Sequence, residues 1–259
     1  MPCAMKVLVL PSGNEDKRNG AYAAAEALPK EAVNENSFFT RLELVAPAGN
    51  KSGSGSEESG FGKIAGEILA GQGKVYAFVG DHASSILLTE LIAKQSRNPG
   101  LILIDAHPDC LKSIDGKKDW IRRIVDEGII RPENILIVGA RKFAGEEIDF
   151  LKSNRIRRLD MRQIFSNGID ETADTIMENA RQWDAVQVSV DMDAIDPAFA
   201  PGVEAPEPGG LGAREIIALV QRLRNLRNIR IVDVSEVLPG KDVNGITAKL
   251  AAKIISEFA

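Results

Sequence analysis

Short runs of β-branched and other apolar residues recur along the chain at Lys6–Leu10, Val75–Val79, Leu101–Ile104, Ile135–Val138, Ala185–Val190 and Ile229–Val234. Most are apolar at both alternating positions. A half-solvated strand would show a polar residue at every second place, so these runs read as strands covered on both faces. Between them the period changes. Leu88, Leu91 and Ile92, then Ile216, Leu219, Val220 and Leu223, fall at i, i+3 and i+4, the second set continuing to i+7. Each set draws one apolar helix stripe. Ile169, Ala173, Ile176, Met177 and Ala180 make another, and Leu250, Ala251, Ile254, Ile255 and Phe258 a last. Strands alternating with helices in this way predict an α/β protein whose central sheet is mostly parallel. The segment Lys51–Gly60 (KSGSGSEESG) has no apolar residue to bury and reads as a mobile loop, about 48–60, within a single domain spanning 1–259.

Three of the strands run into acids and imidazoles. Leu101–Ile104 leads to Asp105–Ala106–His107–Pro108–Asp109, Ala185–Val190 to Asp191–Met192–Asp193, and Val75–Val79 to Gly80–Asp81–His82. All three are carboxyl ends of strands, where open α/β sheets place their ligands. In an extended chain, residues at i, i+2 and i+4 share a face, so Asp105, His107 and Asp109 would point into one cavity, as would Asp191 and Asp193. Four carboxylates in one partly buried cavity repel one another, and divalent cations remove that penalty. Two such ions balance the charge. The donor set, two imidazoles and four carboxylates without a thiolate, fits manganese best, with zinc and cobalt as alternatives. His82 and His107 are the chain's whole histidine content. Asp196–Pro197 closes the third motif, and the Gly/Pro-rich Pro201–Leu211 reads as a shaped loop over the same mouth.

Composition narrows the partners. Lys plus Arg number 32 against 37 Asp plus Glu, a net charge of −5, so no basic excess is available for nucleic acid. The apolar runs are far too short to cross a bilayer, and Met1–Leu10 lacks the apolar core of a secretory signal, which points to a cytoplasmic protein without a membrane partner. Cys3 and Cys110 cannot build a disulfide framework and are expected as reduced thiols, Cys110 as a buried filler or a reactive group beside Asp109.

Gly80–Asp81–His82–Ala83–Ser84, Asp105–Ala106–His107–Pro108–Asp109 and Ser189–Val190–Asp191–Met192–Asp193–Ala194–Ile195–Asp196–Pro197 together resemble the ureohydrolases, the arginases, agmatinases and formiminoglutamases. Ala200–Pro201–Gly202, Pro206–Glu207–Pro208–Gly209–Gly210–Leu211 and Asp233–Val234–Ser235–Glu236–Val237–Leu238–Pro239 extend the resemblance, with weaker agreement at Gly139–Ala140–Arg141. It implies a three-layer α/β/α sandwich with a binuclear manganese centre, two Mn2+ per chain, and an assembly of identical chains, a trimer or hexamer. His82, Asp109, Asp105 and Asp191 would hold one ion and Asp105, His107, Asp191 and Asp193 the other, with Asp105 and Asp191 bridging. Glu236 would grip a small guanidino substrate and Asp109 would orient the attacking hydroxide, releasing urea and an amine.

The resemblance is incomplete. Relatives commonly carry a further histidine after the Asp-x-His-x-Asp motif, thought to shuttle protons, whereas here the stretch Cys110–Trp120 has none. Asp115, Lys117, Lys118 and Asp119 are left there either as solvent-exposed residues or as a proton relay and contact for a substrate tail. Pro201–Gly202–Val203–Glu204–Ala205–Pro206 replaces the threonine-rich run usual in agmatinases, with Glu204 either a loop-surface acid or a contact for a cationic tail. The leading reading is an agmatinase-like rather than arginase-like hydrolase. A catalytically impaired homologue that keeps the metals for binding or assembly is the alternative, and a zinc amide deacetylase comes last, since only Tyr22 and Tyr76 could polarise an amide.

Overall fold

The computed structural model of the chain describes residues 5–28, 42–45, 54–112 and 118–258. In chain order the elements are β1 (Met5–Leu10), α1 (Glu15–Glu26), β2 (Leu42–Val45), α2 (Ser54–Ala70), β3 (Val75–Val79), α3 (Ile86–Gln95), β4 (Pro99–Ile104) and α4 (Trp120–Asp126). There follow β5 (Ile135–Val138), α5 (Gly145–Ser153), β6 (Arg157–Leu159), α6 (Met161–Asn167), α7 (Ile169–Ala180), β7 (Ala185–Asp191), α8 (Ala213–Leu223), β8 (Ile229–Ser235) and α9 (Ile246–Phe258). The strands form one eight-stranded sheet in the order β2-β1-β3-β8-β7-β4-β5-β6, and every neighbouring pair is parallel.

Alternate residues of the central strands feed different cores on the two faces, which is what makes the sheet the middle of three layers. Val7, Val9, Phe78, Ile102, Ile104, Val188, Val190 and Val232 pack with buried residues of α1, α7, α8 and α9. Leu8, Leu10, Ala77, Val79 and Ile231 pack with Phe61, Ala65 and Leu69 of α2 and Leu88 and Ile92 of α3, and Leu101, Leu103, Ile135 and Ile137 with α4 and α5. The stripe Ile216, Leu219, Val220 and Leu223 is wholly buried, as its spacing predicts, each side chain contributing about 1.5–3 kcal/mol.

One expectation is corrected. The loop expected over about 48–60 gives way from Ser54 onward to the first turns of α2, while residues 48–53 lie outside those described. Serine and glycine are poor helix formers, but Phe61, Ala65 and Leu69, four residues apart, anchor this helix on the sheet, and tertiary packing overrides local propensity. The edge strands β2 and β6 carry no strong apolar run. Arg157–Leu159 is only three residues long and begins with two arginines, a short charged edge that discourages further pairing.

Candidate metal centre

Strands β3, β8, β7 and β4 lie side by side, so their carboxyl ends deliver His82, Glu236, Asp191 with Asp193, and Asp105 to Asp109 to one place. The acids meet there through turns. Beyond Ile104 the chain is no longer extended: the His107 N–H donates to Asp105 Oδ1 at 2.7 Å, and Asp109 has a left-handed φ of +50°. The Asp193 N–H likewise donates to Asp191 Oδ1 at 2.8 Å, opening a 3₁₀ turn over Met192–Ala194. These residues therefore converge through turns rather than through strand alternation, because a strand that has lost its ladder partners is recaptured by aspartate side chains in Asx turns.

These turns fix which carboxylate oxygen is spent. Asp105 and Asp191 each accept a backbone N–H at Oδ1 and hold Oδ2 3.1 Å from His82 Nδ1. Asp193 accepts the Ala106 N–H at Oδ1 at 3.1 Å and holds Oδ2 3.0 Å from His107 Nδ1, which is 3.6 Å from Asp105 Oδ1. Two compact donor sets result, His82 with Asp105 and Asp191, and Asp105 with His107 and Asp193. Asp105 belongs to both. Asp191 joins only the first, and Asp109 stands at the edge, with Oδ2 3.7 Å from His82 Nδ1 and accepting the Trp120 indole N–H at 2.9 Å.

Behind the centre, buried polar groups orient His82. Ser189 Oγ donates to Asp233 Oδ1 at 2.7 Å, and Asp233 also accepts from Ser85 and Gln187. Ser189 Oγ lies 2.9 Å from His82 Nε2. With the serine proton given to Asp233, Oγ accepts from Nε2–H, so Nδ1 is the ring nitrogen that faces the acids. His82 Nδ1 and Asp105 Oδ2 are both buried without a hydrogen-bond partner. Two orphaned donor atoms 3.1 Å apart, flanked by further carboxylates, fit a divalent cation.

The electrostatics agree. Burial, and then the charge of neighbouring acids, pushes Asp109, Asp191 and Asp193 above the usual carboxylate range. For Asp105 burial opposes ionisation, but the two imidazoles outweigh it and hold this carboxyl well below that range. Burial likewise disfavours the imidazolium forms, yet Asp105 with Asp191 raises His82 well above the ordinary value, and Asp105 with Asp193 raises His107 to about 11. Without another cation, the imidazoles serve as the acids' counterions.

The sequence-predicted residues His82, His107, Asp109, Asp191, Asp193 and Glu236 line one cavity of about 260 Å³, together with Lys17, Lys118, Glu204 and Ala205. Asp105 lies beneath it, 1% exposed. Glu236 follows β8 with φ +67°; its N–H donates to Gly80 O and its Oε1 accepts the His82 N–H at 2.9 Å. The loop Pro201–Leu211 does border the mouth, held by Asp196 Oδ2 accepting from Gly209 and Gly210 and by Arg141, which donates to the carbonyls of Asp193, Ala194 and Glu207. Asp115 and Lys117 lie outside the described residues. Cys110 is a buried filler, its thiol pushed up by burial and by Glu147. Neither tyrosine lines the cavity: Tyr76 donates to Phe258 O and Tyr22 is 40% exposed, which removes the group a deacetylase would need. Sequence reading gave no role to Trp120, Lys17 or Ser189, although Ser189 opens the third motif.

Fold and site together define a parallel α/β protein with a cluster that could hold metal at the carboxyl edge of its sheet. The chain belongs to the Arginase family, whose model matches residues 17–259. It is 34% identical over 185 residues to proclavaminate amidinohydrolase of Streptomyces clavuligerus, covering 69% of this chain and 58% of that protein. It is 30% identical over 198 residues to an arginase of Staphylococcus aureus, covering 69% of this chain and 65% of the other. These matches therefore span less than two thirds of either relative. Among solved structures, arginase from Bacillus subtilis superposes with a TM-score of 0.86 at 24% identity, over 99% of this chain and 98% of that one.

Proposed function

We propose that the chain is a manganese-dependent hydrolase of a small guanidino compound, agmatinase-like, which releases urea and an amine. The observation that carries the reading is the orphaned pair His82 Nδ1 and Asp105 Oδ2 inside two donor sets that share Asp105. Membership of the Arginase family and the names of the relatives support the reaction class. His82, Asp105, Asp109, Asp191, His107 and Asp193 would hold two divalent ions. When bound, such a pair makes water nucleophilic near neutral pH. Asp109, steadied by the Trp120 indole, accepts a hydrogen bond that aims the attacking oxygen. Glu236 would hold the planar guanidinium through a charge-assisted pairing, and the departing amine would take the proton that the attacking water gives up, passed through Asp109. The cavity suits a small substrate, and the active species is a trimer or hexamer.

The test is urea release from a panel of guanidino compounds by manganese-loaded protein, with Asp193→Ala as control. Turnover of a panel member that the substitution abolishes is expected. No turnover on any member counts against the reading. It favours instead the impaired homologue, for which one observation speaks: with two histidines in the chain, no third imidazole exists to carry a proton.

A further inference from the structure

The acid assigned to the substrate is already paired from within. Lys17, on the first turns of α1, reaches its ammonium to 3.0 Å from Glu236 Oε1 and 2.9 Å from Oε2. The same Nζ lies 2.7 Å from Glu204 Oε2 and 3.3 Å from Asp81 Oδ2. An ammonium has three N–H donors, and here three carboxylates take them. Burial works against the charge of Lys17, but Glu236, Glu204 and Asp81 outweigh it and raise its pKa. A guanidinium grips a carboxylate through both oxygens at once. Both oxygens of Glu236 face Lys17, and Oε1 also accepts the His82 N–H. The lysine side chain is 5% exposed and that of Glu204 51%, so the ammonium is held at the inner end of the cavity by one acid that reaches the mouth and two that do not.

We infer that Lys17 is an internal competitor for the substrate seat, a cation held on Glu236 that a substrate's guanidinium must displace in order to bind. This rests on the reading of Glu236 as the substrate-gripping acid. Lys17 therefore weakens the hold on every simple guanidinium, and removing its charge opens the seat.

Titration calorimetry of methylguanidinium chloride into metal-free protein tests this without turnover. Lys17→Met is expected to bind at least ~10-fold more tightly than the wild type, about the worth of one charge-assisted competitor, and Lys17→Met combined with Glu236→Gln to lose that gain. Equal or weaker binding by Lys17→Met, or a gain that survives Glu236→Gln, overturns the inference. Should circular dichroism show Lys17→Met unfolded, crystals of the wild type grown with methylguanidinium decide: Nζ moved off Glu236 supports displacement, and both cations seated on Glu236 refute it. A guanidino panel without turnover beside tighter binding by Lys17→Met would sink the hydrolase reading and leave Lys17 in its role. Turnover without tighter binding would do the reverse.

Discussion

Asp105 shows how one side chain is divided between structure and chemistry, with Oδ1 closing a turn on His107 N–H and Oδ2 left beside His82. Asp191 is built the same way. Asp191→Asn keeps the turn-closing oxygen and removes the charge, so metal analysis of the purified variant should find at least one of two ions lost; retention of both contradicts the ligand assignment. Ser189→Ala removes the acceptor that fixes His82 Nε2, and a drop in metal affinity of about 10–100-fold is expected by competition with a chelating dye. Unchanged affinity would show that the imidazole needs no such support. The pH dependence follows from the raised imidazoles. Neighbouring acids raise both imidazoles, His107 to about 11, so metal binding displaces protons and affinity is expected to rise with pH. Calorimetry in buffers of different ionisation heat should record net proton release at pH 7, and proton uptake would contradict the sign. The six side chains that converge here were legible because each sits just past an apolar run. Lys17 was not, since a lysine in the first turn of a polar helix looks like any other, and only the neighbouring strand end reveals its partners.

At the scale of elements, the buried strands announced themselves through apolar residues on both faces, and β3 and β5 begin and end where the pattern places them. The edge strand Arg157–Leu159 did not, because an edge has little to bury. Helix α2 was hidden by serine and glycine, and its burial signal starts only at Phe61. Helix α1 has no strong stripe, but its seat on the site depends on one residue. A Cβ at Gly20 would stand 1.6 Å from the carbonyl oxygen of Val237, the residue after Glu236. Gly20→Ala must therefore push α1 away from the end of β8. It should cost about 1–3 kcal/mol in urea denaturation and disturb the Lys17–Glu236 pairing one turn away. A variant as stable as the wild type would mean the helix can shift freely.

The whole molecule follows from placing four adjacent strands, β3, β8, β7 and β4, so that acids far apart in sequence end at one edge. A parallel sheet buried on both faces leaves that edge as the place where polar groups converge, with Arg141 and the loop after Asp196 closing it from β5 and β7. Which residues meet there was readable from the sequence. How they are oriented was not, because turn hydrogen bonds and the buried Ser189–Asp233 pair arise only once the strands are packed. The central claim is that these donors hold two divalent ions. Anomalous diffraction at the manganese edge, from crystals of the manganese-loaded chain, addresses it most directly. Two peaks are predicted, one among His82, Asp105 and Asp191 and one among Asp105, His107 and Asp193. A cavity without either peak, or ions bound only elsewhere, would contradict it.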